Sequence, residues 1–152
     1  MKVIHLSQEG ADPQEMGPDD FLGITDVYDG IAWENGVVVT DRKRIVFNND
    51  DTKEEFGWTR DREPDSDREY RVRGFIAKGP ELLILVNQIA SPNAPAGTNT
   101  RVWLESFDHR TRSFHRIGKS VTLSTTGELG IRGAGGLPWS LATGFVHFYT
   151  DG

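Results

Sequence analysis

The sequence predicts an all-β antiparallel fold, a sandwich or a barrel, on three observations. Short apolar runs recur at roughly ten-residue spacing. Turn-forming Gly, Pro and Asn residues separate them. No segment sustains the 3.6-residue apolar period of an amphipathic helix.

The strongest stretch is 81–117. It opens with the run Leu82-Leu83-Ile84-Leu85-Val86. Five consecutive apolar residues leave no polar face, so this strand is expected to be buried on both sides. Turn-formers fill 91–100. Arg101-Val102-Trp103-Leu104-Glu105-Ser106-Phe107 and Ser113-Phe114-His115-Arg116-Ile117 follow as neighbouring antiparallel strands, joined by a turn at 108–112.

Earlier in the chain, Asp12-Pro13-Gln14-Glu15 has the form of a helix start, with Asp as N-cap and Pro at the first position. Gly17-Pro18 stops it almost at once. Residues 1–20 are therefore read as an N-terminal arm with at most one helical turn, and 21–152 as a single all-β domain. Asn35-Gly36 between apolar segments signals a hairpin, because both residues accept positive φ. With Arg44-Ile45-Val46-Phe47-Asn48 it gives a three-stranded meander over 29–48. Residues 49–68 are dense in charge and read as a long exposed loop, with Phe56 and Trp58 either pinning it or presenting a contact surface. Tyr70 to Ala77 alternates as a half-exposed strand. Gly118 breaks the chain before a further strand at 119–123. More strands are expected at 128–131 and 145–149, on either side of a Gly-rich turn.

The composition sets bounds. A chain of 152 residues suits one domain of ordinary size. With no cysteine, disulfides, thiolate nucleophiles and Cys-type metal sites are excluded. No apolar run approaches the ~18 residues of a membrane span, and the N-terminus lacks a signal-peptide core. The net charge of −6 is uneven: −7 over 1–40, −1 over 41–73 and +2 over 74–152. An acidic whole disfavours general nucleic-acid binding, and the gradient suits head-to-tail contact between copies. The expected partners are thus other copies of the chain and neighbouring proteins of an assembly, or a host-surface glycan, with neither nucleic acid nor membrane.

Candidate chemistry is sparse. Asp108, His109 and His115 fit no compact metal motif. Asp61, Asp65 and Asp67, with Glu63 and Glu69, alternate on one face of an extended segment and offer oxygens to Ca²⁺. Arg60, Arg62 and Arg68 offset their charge, so the expectation is no cofactor, with Ca²⁺ at Asp61, Asp65 and Asp67 as the alternative. The glycines of 127–136 lack a P-loop Lys-Ser/Thr. Of the four tryptophans, Trp33 and Trp103 lie in strong strands and belong to the core. Trp58 and Trp139 sit in loop-like sequence and are the candidates for stacking on a sugar. Arg110 and Arg112 join them as ligand-binding candidates in a basic stretch interleaved with aromatics. No nucleophile–base signature or spaced carboxylate pair is present, so the chain is not expected to be an enzyme.

Two local likenesses add to this. The residues Ser113-Phe114-His115-Arg116-Ile117-Gly118-Lys119-Ser120-Val121, followed by Gly136-Leu137-Pro138-Trp139, resemble the C-terminal β domains of bacteriophage tail-fibre proteins. The likeness spans 113–139 and departs from the family at the Gly-rich insert 127–136. Residues 30–47 are similar to one blade of an NHL-type propeller. Echoes of Gly30-Ile31-Ala32-Trp33 recur at Gly74 and Gly136, at intervals of 44 and 62 residues. A propeller needs at least about four blades, so this alternative requires a ring closed by several chains. The first resemblance implies a non-enzymatic structural or attachment protein of a virion, of tail-fibre or capsid-decoration type, working by protein–protein contact in a symmetric assembly. The alternative is a lectin-like carbohydrate-binding module that uses the loop tryptophans.

Overall fold

The structure is a computed structural model that describes residues 3–5, 14–49, 51–58, 65–124, 139–140 and 145–146. The strands expected at 128–131 and beyond 146, and the Gly-rich turn at 127–136, lie outside the described residues. The chain divides into two compact units, Met1–Arg62 and Glu63–Gly152. Each carries one open four-stranded antiparallel sheet in sequence order. The all-β antiparallel class is therefore as expected, and among the described residues neither sheet closes into a barrel. Among the described residues no helix is long and apolar enough to cross a membrane.

In the first unit, β1 (Val3–His5) pairs with β2 (Gln14–Met16). Gln14 and Glu15, read as part of at most one helical turn, are extended instead. The helical turn lies one proline later, as a 3-10 turn at Pro18–Phe21. Pro18 occupies its first turn, where a missing N–H costs nothing. The Gly17 N–H donates to Asp20 Oδ2 at 2.8 Å.

The sheet runs β3 (Asp29–Trp33), β4 (Gly36–Thr40), β5 (Ile45–Asn49) and β6 (Thr52–Phe56). The 29–48 meander forms as read, but its first turn is centred one residue early. Trp33 pairs with Gly36, so Glu34 (φ 49°) and Asn35 (φ 59°) are the two loop residues. Gly36 is needed for space instead. A Cβ there would lie 2.4 Å from the Asn48 carbonyl oxygen and 2.7 Å from the Phe47 ring.

The expected loop at 49–68 is corrected in its first part. Asn49 Oδ1 accepts the N–H groups of Asp51 (3.0 Å) and Thr52 (2.9 Å), which turns the chain into β6. Lys53, Glu54 and Glu55 suit an edge strand, where charge blocks unwanted pairing. Phe56 and Trp58 are buried at 4% and 2% exposure, so they pin this segment rather than present it.

Because side chains alternate along a strand, the sheet has two distinct faces. One carries Trp33, Phe47 and Phe56, whose ring centroids lie 5.5–6.1 Å apart. On the other, Val39 and Val46 pack with Phe21, Ile24, Val27 and Met16 from the segment that precedes β3. Polar side chains of the sheet tie that segment down through its carbonyls. Asn48 Nδ2 donates to Asp20 O (2.6 Å), Lys53 Nζ to Asp19 O (3.0 Å) and Arg44 Nη2 to Leu22 O (3.0 Å). Arg44 also donates to Glu55 Oε1 at 2.8 Å, and that bond lifts the guanidinium above its usual range.

The second unit has the sheet order β10-β9-β8-β7. It comprises β7 (Arg68–Lys78), β8 (Glu81–Ala90), β9 (Arg101–Asp108) and β10 (Ser113–Thr122). A bulge at Arg73 shifts the β7–β8 register between Val72 and Gly74. Every residue from Leu82 to Gln88 is buried, so the two-sided burial expected of 82–86 holds. Gly118 does not end a strand. Its φ of +72° places it in a bulge between Ile117 and Val121, within the single strand β10. Two short strands, β11 (Trp139–Ser140) and β12 (Phe145–Val146), pair with each other.

Gly36→Ala is expected to lower stability by about 2–3 kcal/mol, because the new methyl group overlaps backbone that cannot move away. Urea unfolding should show this as a reduced midpoint with an unchanged slope. Asn35→Gly, at an exposed left-handed position, should shift stability by no more than about 0.5 kcal/mol.

Candidate functional site

Burial falls steadily across the second sheet. Strand β8 is buried along Leu82–Gln88, β9 is mostly buried, and β10 is half-buried at Ser113 and Phe114 and exposed from His115 to Thr122. Among the described residues β10 has no further strand beyond it. The candidate surface is this edge with the turn that leads into it.

The turn is built by Asp108. Its Oδ1 accepts the Arg110 N–H at 2.8 Å and its carbonyl accepts the Arg112 N–H at 2.8 Å. Arg112 takes φ 57°, which closes the hairpin. The Arg110 side chain is 77% exposed, with Nε 3.9 Å from Asp108 Oδ1. Arg112 is exposed as well. Both arginines proposed from sequence thus stand on one solvent-facing turn.

Along β10, alternate residues point to opposite faces. On one face Phe114 packs on Phe107, centroid to centroid 4.7 Å. Next on that face the Arg116 guanidinium lies over the Trp103 ring at 4.2 Å, a cation–π contact. The Trp103 Nε1–H donates to Glu105 Oε2 at 2.7 Å, and Glu105 is 4% exposed. Arg116 stands directly opposite Glu105 in the register. Tyr70 meets Trp103 edge to face at 6.0 Å. On the other face Ile117 and Val121 are 43% and 57% exposed. Apolar side chains this open on a sheet edge are the kind that natural edges usually avoid.

The remaining sequence candidates do not gather here. Trp58 is buried and its ring offers no face to a sugar, which removes it as a stacking residue. Its backbone N–H donates to Phe56 O at 2.7 Å, a tight turn at the end of β6. Trp139 lies in a strand rather than a loop, paired through its backbone with Val146. Trp33 and Trp103 are core residues as expected, at 4% and 5% exposure.

Of the Ca²⁺ candidates, Asp61 lies outside the described residues. Asp65 is engaged by protein groups: its Oδ1 accepts the Asp67 N–H at 2.9 Å, and its Oδ2 lies 3.7 Å from Arg68 Nη1. Among the described residues no three His, Asp or Glu side chains form a group able to hold a metal ion, and Asp108, His109 and His115 do not come together as one.

Sequence reasoning missed the Trp103–Glu105–Arg116 cluster. It places a carboxylate in the core, and the only available signal was the alternation of Trp103, Glu105 and Phe107 on one face of a strong strand. Ile117 and Val121 were read as ordinary strand residues, because exposure at a sheet edge depends on strand order.

Comparison with family models, with curated proteins and with solved structures gives no match for this chain.

Glu105→Leu removes the acceptor of a buried indole N–H and should cost about 2 kcal/mol. Glu105→Gln keeps an acceptor and should cost less. Urea titration followed by tryptophan fluorescence distinguishes the two.

Proposed function

We propose that this chain is a non-enzymatic assembly protein that works by protein–protein contact between copies of itself, of the virion structural or attachment kind. The observation that carries this reading is the β10 edge. It is ten residues long, and it carries Ile117 and Val121 at 43% and 57% exposure. An edge strand offers a row of backbone donors and acceptors, and exposed apolar side chains beside it favour pairing with another chain. The same strand holds most of the residues that resemble tail-fibre β domains. A four-stranded meander is also the unit of a propeller, so a ring closed by several copies is one form such an assembly takes.

The lectin-like alternative has lost Trp58 to the core. It has gained no other open aromatic among the tryptophans whose side chains are described.

Size-exclusion chromatography with light scattering tests the reading. The wild-type chain should show a concentration-dependent mass above the 17.0 kDa of one copy. The double variant Ile117→Lys, Val121→Lys should be monomeric with an unchanged melting temperature, because neither side chain is buried. A wild-type chain that stays monomeric at high concentration would overturn the proposal.

A further inference from the structure

The β9–β10 turn also carries a hydrogen-bonded row with no part in the contacts described above. Thr111 Oγ1 lies 2.7 Å from Ser113 Oγ, and Ser113 Oγ lies 2.9 Å from His115 Nε2. Ser113 and His115 are two apart on an extended strand, so they share a face. Both bonds are solvent-exposed. The sequence around the row is basic. Residues 109–124 hold Arg110, Arg112, Arg116 and Lys119, with His109 and His115, and no carboxylate at all. Asp108 faces Ser113 across the strand pair. Its carboxylate is engaged within its own turn, with Oδ1 accepting the Arg110 N–H at 2.8 Å.

We infer that Thr111, Ser113 and His115, with Arg110 and Arg112 of the same turn, form a subsite for a tetrahedral oxyanion such as a phosphate monoester or a sulfate ester presents. A hydroxyl both donates and accepts. When the imidazole Nε2–H donates to Ser113, the Ser113 proton turns to Thr111, and the Thr111 proton is free to point at an anion oxygen. An anion at the turn therefore selects one direction for the whole row. The guanidinium forks on either side of Thr111 in sequence suit oxyanion oxygens in geometry and charge. The row shares strand β10 with the pairing edge but uses other side chains than Ile117 and Val121.

The test is an NMR titration of the full chain with sodium phosphate and, in parallel, with sodium sulfate, each at an ionic strength held constant with chloride. Backbone amides of 110–115 and the His115 ring are observed. Saturable shifts confined to these residues are expected, from phosphate alone for a phosphate-ester site, from sulfate alone for a sulfate-ester site, or from both for a general one. Thr111→Val should weaken the apparent affinity about tenfold, the loss of the one hydrogen bond that the row makes to the charged group. Ser113→Ala, which cuts the row behind Thr111, should weaken it as well and provides the check should the first variant fold poorly. Shifts that grow linearly without saturation, or that are equal in wild type and in the row variants, would overturn the inference.

Discussion

The two-sided burial of β8 is the constraint on which the second unit depends. Leu82, Ile84 and Val86 face one way and Leu83 and Leu85 the other, and none is more than 6% exposed. Each such side chain contributes roughly 1.5–3 kcal/mol when removed from water. A strand of this kind cannot lie at an edge, so neighbours are required on both sides, and β7 and β9 supply them. Once β8 is central, β10 falls outermost, and a one-residue slip of β9 would turn Trp103 and Phe107 to the wrong face. The exposed character of β10 is thus a consequence of how apolar β8 is.

The first unit solves a different problem. Val39 and Val46 present an apolar face, and the segment before β3, with its single 3-10 turn, covers it. Such a segment exposes carbonyls that no ladder satisfies. Asn48, Lys53 and Arg44 reach across from the sheet to meet three of them. Polar residues on the sheet therefore hold the cover, while Phe21, Ile24 and Val27 supply its apolar contact.

Much of this was readable from sequence where one physical reading had no competitor. The five-residue apolar run at 82–86 admits only a buried strand or a buried helix, and the flanking Gly-Pro and Ser-Pro turns exclude the helix. Trp33 and Trp103 were placed correctly because they alternate within strong strands. The failures have equally local causes. Thr52 to Phe56 looked like a loop because an edge strand needs one apolar anchor, Phe56, and can carry charge elsewhere. The first hairpin was shifted by one residue because Asn-Gly propensity yields to packing: Gly36 is required where the Phe47 ring and the Asn48 carbonyl approach, and Glu34 accepts positive φ to allow it. Gln14 and Glu15 pair with β1 instead of forming a helical turn, while Pro18 supplies the N-terminal proline of the turn that does form. Trp58 looked exposed because its neighbours are charged, and composition does not report which way a tight turn points a ring. The arginines of the candidate turn were named from a basic stretch interleaved with aromatics, whereas the hydroxyl–imidazole row beside them depends on a side-chain geometry that spacing alone does not give.

The burial gradient from β8 out to β10 is tested most directly by native-state hydrogen exchange of backbone amides. Opening free energies should be highest along Leu82–Gln88, approaching that of global unfolding, and lowest along His115–Thr122. Amides of β8 that exchange as fast as those of β10 would contradict the central placement of β8, and with it the reason β10 is left open.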